Sequence, residues 1–231
     1  MANQCIHLNL RTSYSVVDGI GFPAEYVDMA AEDQQPGLAV NDFMNNFSAL
    51  KFFKAAVSRS VKPILGAQVS IRDGSNAYTM TWLCMNLLGY QNLSKLITNS
   101  YTDDCYQTYA TIIKSALTTS SVEGLIALSG GLDGELGNYL SDDKRDQMGN
   151  VVDFWSGLFP ERYYLEIQRL GRADDDHFNQ MMLQHALERN LPIVATNAVR
   201  FLRQQDMEAH TARVCINQGK LLQAGLEELA Y

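Results

Sequence analysis

Histidine is scarce: His7, His177, His185 and His210 are the only four in 231 residues. A multi-metal centre built on imidazoles needs several of them converging on one point, so this supply already argues against such a site. Cysteine offers no substitute. Cys5, Cys84, Cys105 and Cys215 form no CxxC pair and are too widely spaced for a zinc knuckle, so free thiols in a reducing compartment are expected. Apolar runs stay well short of the ~18 residues a membrane span requires, which excludes that class. Met1–Gln4 is too short and polar to read as a signal peptide, and the expected location is the cytoplasm. Basic residues are outnumbered, 18 against 26 acidic, for a formal net charge of -8. Strong direct binding to a nucleic-acid backbone is therefore not expected. The densest basic cluster, Lys51, Lys54, Arg59 and Lys62, reads as a solvated helix face.

What is present is core-forming material in alternating periods. Hydrophobic residues make up 46% of the chain, enough for one sizeable core. Ile6, Leu8 and Leu10 alternate with His7, Asn9 and Arg11, which predicts a strand over Cys5–Leu10 with one polar face. Pro23 suits a first helical turn and predicts a helix over Ala24–Asp33, broken by Pro36-Gly37. A short strand over Leu38–Val40 ends in Asn41-Asp42. A helix over Phe47–Ser58 carries Leu50, Phe53 and Val57 on one face. Strands follow over Pro63–Ile71 and Tyr78–Met85, then helices over Gln91–Ser100 and Tyr106–Leu117. Gly124–Ser129 reads as a buried strand followed by the loop Gly130–Gly134. A helix over Asp146–Leu158 is closed by Pro160. Beyond it come a strand over Tyr163–Gln168, a helix over Asp174–Arg189, a strand over Pro192–Thr196 and a helix over Asp206–Ile216.

The strand–helix alternation predicts an α/β fold with mostly parallel strands, because parallel neighbours need long crossovers and helices supply them. About seven such units suggest a closed or nearly closed (β/α) barrel, with an open doubly wound sheet as the alternative. In such barrels chemistry sits at the carboxyl ends of the strands. The residues expected there are polar: Asn9, Arg11, Asn41, Asp42, Gln68, Gly131, Asn197 and Arg200. Residues 1–219 read as one domain, and 220–231 as an extension, a candidate start of a linker to a further module. Leu221, Leu222, Leu226 and Leu229 give that extension an apolar side.

Six ordered blocks carry a family resemblance: CIHLNLRTSYSVVDG at 5–19, ALKFFKAAVSRSVKPILGAQV at 49–69, LGYQNLSKLI at 88–97, EGLIALSGGLDGELG at 123–137, RYYLEIQRLGR at 162–172 and LPIVATNAVRFL at 191–202. Together they resemble the polymerase and histidinol phosphatase (PHP) domain of bacterial DNA polymerase III alpha subunits. The GYQNL and LSGG…GE blocks favour that form over free-standing PHP phosphoesterases. The resemblance implies a distorted (β/α)7-like barrel. In metal-binding members a His, Asp, Glu and Cys cluster holds two or three metal ions, which activate water and stabilise charge on phosphate oxygens.

Carried over residue by residue, the resemblance implies that little of that cluster is kept. The paired histidines of the first strand stand here as Asn9 and Arg11. The next acidic ligand is Asp18. The histidine after the second strand is Phe43, with the preceding acid kept as Asp42. The glutamate of the third strand is Gln68 and the histidine of the fourth is Thr79. The ligand of the Ser-Gly loop is Gly131, and the late Asp-x-His pair is Ala198 and Arg200. Only Asp18 keeps a ligand of the family's type. Guanidinium groups offer no lone pair and repel a cation. Arg11 and Arg200 are therefore expected to fill the old metal space, with Asp18 and Asp42 as counterions; arginines pointing into solvent are the alternative.

Several local signals invite a blander reading. His7 reads as a structural hydrogen-bonding residue and His185 as a boundary histidine on the apolar side of its helix, beside Phe178, Met181 and Met182. Asp174-Asp175-Asp176-His177 resembles a metal cluster but sits at a helix start, where carboxylates cap free amides. Ser129–Gly134 suggests an anion nest yet lacks the Lys-Ser/Thr of a phosphate loop. Ser13 and Ser15 near His7 lack a third orienting group.

The leading expectation is thus a non-catalytic PHP domain without cofactor or metal. It would brace the polymerase module of an alpha subunit and offer a surface to partners such as the proofreading exonuclease subunit. The parent family is a DNA-directed DNA polymerase, a nucleotidyltransferase, but the family's nucleotide-transferring carboxylates lie beyond this stretch. The alternative is a residual metal-dependent phosphoesterase or pyrophosphatase rebuilt from Asp18, Asp42, Glu135 and His7. A stand-alone binding module using the old pocket is the third reading.

Overall fold

The structure is a computed structural model that describes residues 5–102, 110–140 and 145–222. These residues form two compact units. One combines the chain up to Gly66 with the stretch from Asn197 onward, and the other runs from Ala67 to Thr196.

In the first unit, helix α1 (Pro23–Glu32) starts with proline in its first turn, and the Glu25 carboxylate accepts the Phe22 N–H at 2.8 Å. Strand β1 (Gly37–Phe43) is buried almost end to end. Helix α2 (Ala49–Ser58) packs on α1 and β1, and β1 neighbours the strand β2 (Lys62–Asp73), which begins in this unit. Leu10, Val27, Leu38, Val40, Phe52 and Val61 form the core, joined from the far end of the chain by Val199 and Leu202. Burying a side chain such as Phe52 contributes about 1.5–3 kcal/mol. Helix α6 (Met207–Gln218) ends at Gly219 in the left-handed region, φ 66°.

Two expectations are corrected here. Cys5–Leu10 is extended but forms only an isolated parallel bridge, Leu10 to Val199. The physical reason is that the Asn41 side chain intrudes. Its Oδ1 accepts the Leu10 N–H at 2.8 Å and its Nδ2 donates to Leu8 O at 2.6 Å, where a ladder would use main chain. The second correction concerns α2. Its buried face is Ala49, Phe52 and Ala56, while Leu50, Phe53 and Val57 face solvent. Apolar residues lie on both sides of this helix, so periodicity alone did not mark the inner one.

In the second unit β2 turns at Gly74 (φ 60°) into β3 (Asn76–Cys84). The further strands are β4 (Ile112–Ile113), β5 (Leu125–Leu128), β6 (Tyr163–Ile167) and β7 (Ile193–Ala195). Their order is β2-β3-β5-β6-β7, with β4 against β2. β5–β6, β6–β7 and β2–β4 pair in parallel, whereas β3–β5 is antiparallel, with Thr81 opposite Leu128. Helix α3 (Leu87–Thr102) leads from β3 to β4, and helices α4 (Arg145–Leu158) and α5 (Asp175–Arg189) cross between the parallel pairs β5–β6 and β6–β7. The core centres on Trp82, Trp155, Phe159 and Tyr163, with Trp82 and Phe159 rings 5.6 Å apart. The expected helix over Tyr106–Leu117 is not formed where the chain is described: Ile112–Ile113 is strand and Lys114–Ala116 a 3-10 turn, because the β-branched pair completes a ladder with Ile71 and Arg72. Its first four residues, like Cys105, lie outside the described residues. So do Leu226 and Leu229. Cys5, Cys84 and Cys215 are free thiols.

Candidate functional site

In the first unit the polar residues collect around the loop that follows Leu10. Asp18 Oδ2 accepts Arg11 Nη1 and Arg200 Nε, each at 2.8 Å. The three side chains are 11%, 14% and 18% exposed for Arg11, Arg200 and Asp18. Arg200 Nη1 also donates to Asn9 Oδ1 at 3.2 Å and to Val199 O at 3.0 Å. The Arg11 guanidinium stacks over the Phe43 ring, 4.9 Å from its centroid. Five of the family positions, Asn9, Arg11, Asp18, Phe43 and Arg200, thus form one connected cluster; Ala198 lies half-buried beside it in sequence. His210, buried on α6, places Nδ1 2.8 Å from Asp18 O, and Arg213 donates to Val16 O and Ser13 O. These two residues extend the cluster, and no spacing signal in the sequence pointed to them.

Asp42 behaves differently from Asp18. It is 1% exposed and accepts the Thr12 N–H at 2.7 Å, the Thr12 hydroxyl at 3.0 Å, the Ser15 hydroxyl at 2.8 Å and the Ser48 hydroxyl. Its partners are neutral donors that pin the loop to β1, so the arginine counterion in this cluster is Asp18. Ser15 is part of this network, donating to Asp42 and accepting the Phe43 N–H at 2.9 Å. His7 contributes its backbone oxygen to Ala39 N–H. A separate hollow of about 430 Å³ lies between Phe22, Met29, Leu202 and Arg203, rimmed by Glu25, Asp28, Glu32 and Asp206, and contains none of the family positions.

The second unit holds Gln68, Thr79 and Gly131. Gln68 Nε2 donates to Thr81 Oγ1 at 3.3 Å. Thr79 is half-buried, and its carbonyl closes on Gly130 so tightly that a Cβ there would lie 2.0 Å from Thr79 O. Gly130 and Gly131 both have positive φ, 89° and 58°. The loop meets an internal anion: the Gly130 N–H donates to Glu166 Oε2 at 3.0 Å. Glu166 is fully buried and also accepts Gln168 Nε2 and the Thr196 hydroxyl.

Glu135 is likewise engaged. Lys114 Nζ lies 2.5 Å from its Oε1, and Trp155 Nε1 donates to its Oε2 at 2.7 Å. The Phe154, Trp155 and Tyr78 rings surround the Lys114 ammonium at 4.7, 5.8 and 6.0 Å. Burial, reinforced by Glu135, pushes the Tyr78 phenol far above its ordinary range. Burial also raises Tyr163, and takes the Cys84 thiol up to about 12.

The carboxylate cap expected at the start of α5 is not formed: Asp174 makes no side-chain cap bond, and Asp175, the first helical residue, turns back to the preceding loop, accepting Leu170 N–H at 2.6 Å and Arg172 N–H at 3.2 Å. His177 is exposed, and His185 approaches Arg189 Nη1 at 3.1 Å and Glu188 at 3.6 Å. Among the described residues no group of three or more His, Cys, Asp or Glu is placed to hold a metal ion. Nor is any helix among them long and apolar enough to cross a membrane.

Comparison with known proteins places these observations. The alpha subunit of DNA polymerase III from Pseudomonas aeruginosa is 36% identical over 220 residues, and that from Escherichia coli is 37% identical over 217. These alignments cover 94% and 93% of the chain, which spans about a fifth (19%) of either relative. Two solved structures share the fold. A Bifidobacterium adolescentis protein, provisionally assigned as a metal-dependent phosphoesterase, superposes with a TM-score of 0.59 at 10% identity, covering 91% of this chain and 96% of that one. An amidohydrolase from Chromobacterium violaceum, with bound sulfate and no metal, gives 0.59 at 14% identity over 90% and 96%. The expected α/β, mostly parallel fold is the one these neighbours share. The PHP domain model matches residues 7–170, and the chain belongs to the PHP domain family.

Proposed function

We propose that this chain serves DNA replication as a non-catalytic PHP domain, bracing the polymerase module of an alpha subunit in the cytoplasm. The observation that carries the reading is the pair of guanidinium groups on Asp18. The positions Asn9, Arg11, Phe43, Gln68, Thr79, Gly131, Ala198 and Arg200 are then vestiges of a metal site. The donor set does not fit a divalent cation: Asp18 already answers two cations, and amide, phenyl and guanidinium groups cannot replace imidazoles. The carboxylates of a rebuilt site are also committed, Asp42 to hydroxyls and Glu135 to Lys114 and Trp155. No step is therefore derived through a metal. Residues 1–219 act as one domain in this reading, and the proofreading exonuclease subunit is a candidate partner.

The test is metal content by elemental analysis after chelator-free purification, paired with hydrolysis of a generic phosphodiester. Expected are near-zero zinc, manganese and iron in a cooperatively folding protein, and no hydrolysis. Stoichiometric metal with turnover abolished by Asp18→Ala would establish the second reading, a residual phosphoesterase, which the shared fold of the Bifidobacterium protein favours.

A further inference from the structure

Helix α2 has a second apolar face that nothing in its own unit covers. Phe47, just before the helix, is 73% exposed, and Leu50, Phe53 and Val57 are 64%, 46% and 56% exposed. At about 100° per residue these four side chains fall within one arc of roughly 120°. The opposite face is already spent on the core through Phe52 and Ala56. A helix apolar on both sides is ordinarily covered on both. Contiguous exposed aromatic and aliphatic groups of this kind mark interaction sites.

Charge decides what covers it. Lys54 rises within the stripe and Lys51 flanks it, and the helix carries no acidic residue. Lys51 donates to the Tyr14 hydroxyl at 2.5 Å, and among the described residues neither lysine ends on a carboxylate. A second copy of this face would set lysine against lysine. An anionic bilayer would meet a chain of net charge -8. Nucleic acid would find little use for two phenyl rings and two aliphatic groups standing out of a helix with only two lysines beside them. We infer that this face docks an amphipathic helical protein segment whose apolar stripe is flanked by carboxylates. The inference builds on the assembly role proposed above.

The experiment uses the full chain and two labelled helical peptides sharing one Leu/Phe stripe, one flanked by glutamates and the other by lysines. Fluorescence anisotropy should show the glutamate peptide binding at least tenfold more tightly. Leu50→Ser with Phe53→Ser should abolish binding with an unchanged melt, since both side chains are exposed. Lys54→Glu should remove or invert the preference. Equal affinity for both peptides, or no binding of the glutamate peptide, overturns the inference. So does sedimentation of a dimer, or of complexes with phosphatidylglycerol vesicles, that the Leu50→Ser/Phe53→Ser variant loses. Metal content answers the scaffold reading independently, so failure of one proposal is distinguishable from failure of the other.

Discussion

Replacing Asp18 by asparagine isolates the central electrostatic feature. The amide keeps the shape but removes the charge that faces Arg11 and Arg200 at 2.8 Å each. One such contact, with charge centres about 4 Å apart at an effective dielectric near 20, is worth about 4 kcal/mol before desolvation. Desolvating the ions cancels most of that, and residual exposure of 11–18% screens some of the rest. What remains in the variant is a pair of nearly buried guanidinium groups without their shared counterion. The expected loss is about 2–4 kcal/mol, a melt lowered by roughly 5–12 °C for a chain of this size. Urea titration with a tryptophan-fluorescence readout measures it. The diagnostic comparison is the triple variant Arg11→Met, Asp18→Asn, Arg200→Met, which removes the stranded charges and should recover to within about 1 kcal/mol of the parent. A loss below about 0.5 kcal/mol for Asp18→Asn, or strict additivity between Asp18→Asn and Arg200→Met, would refute the account.

Asp42→Ala should cost about 3–5 kcal/mol in the same titration, because the Thr12 N–H and three buried hydroxyls lose their acceptor together. Gly130→Ala should lower expression and the melt sharply, by more than about 3 kcal/mol, since its Cβ would meet Thr79 O at 2.0 Å in a left-handed conformation. Lys114→Met should destabilise by about 3–5 kcal/mol through the stranded Glu135 and shift Trp155 emission, and Lys114→Met with Glu135→Gln should recover much of it. Stability should fall above about pH 9. Cys84, Tyr78 and Tyr163 ionise in the unfolded chain near their ordinary values but are held protonated in the fold, so the unfolded state sheds protons first. Cys84→Ala should flatten that alkaline slope, measured by melts from pH 7 to 11.

Most strands and helices could be read from period and punctuation, because Pro23, Pro36, Pro160 and Pro192 stand at element boundaries and the apolar runs 38–40, 125–128 and 193–195 have strand length. Failures occurred where a side chain took a main-chain role or where periodicity was degenerate. Asn41 replaces a ladder partner for Leu8 and Leu10, which alternation cannot reveal. On α2, Leu50, Phe53 and Val57 have the same spacing as a core stripe, and small Ala49 and Ala56 flank the large Phe52 that enters the core. In the Asp174–Asp176 run, composition identifies a helix start, but only the backbone path turns the Asp175 carboxylate back onto the preceding loop instead of onto the helix amides.

The cluster around Asp18 was legible as residue types, since two arginines and an acid in one polar set call for an ion pair. Its neutral half was not. Thr12, Ser15 and Ser48 are ordinary hydroxyl residues in sequence, and only folding brings them onto Asp42. That half changes the electrostatic argument. Arg11 and Arg200 supply two positive charges against Asp18 and the separately held Asp42, so these four groups are formally balanced, and Arg213 adds a further positive charge beside them. Adding a dication would bring two uncompensated charges beside guanidinium groups that already repel it. A carboxylate-rich pocket gains from a metal; a balanced one loses. Placing imidazoles at Asn9 and Arg11 alone would therefore not suffice for metal binding while Arg200 stays on Asp18, whereas exchanging Arg200 as well would free the Asp18 carboxylate and make the pocket receptive.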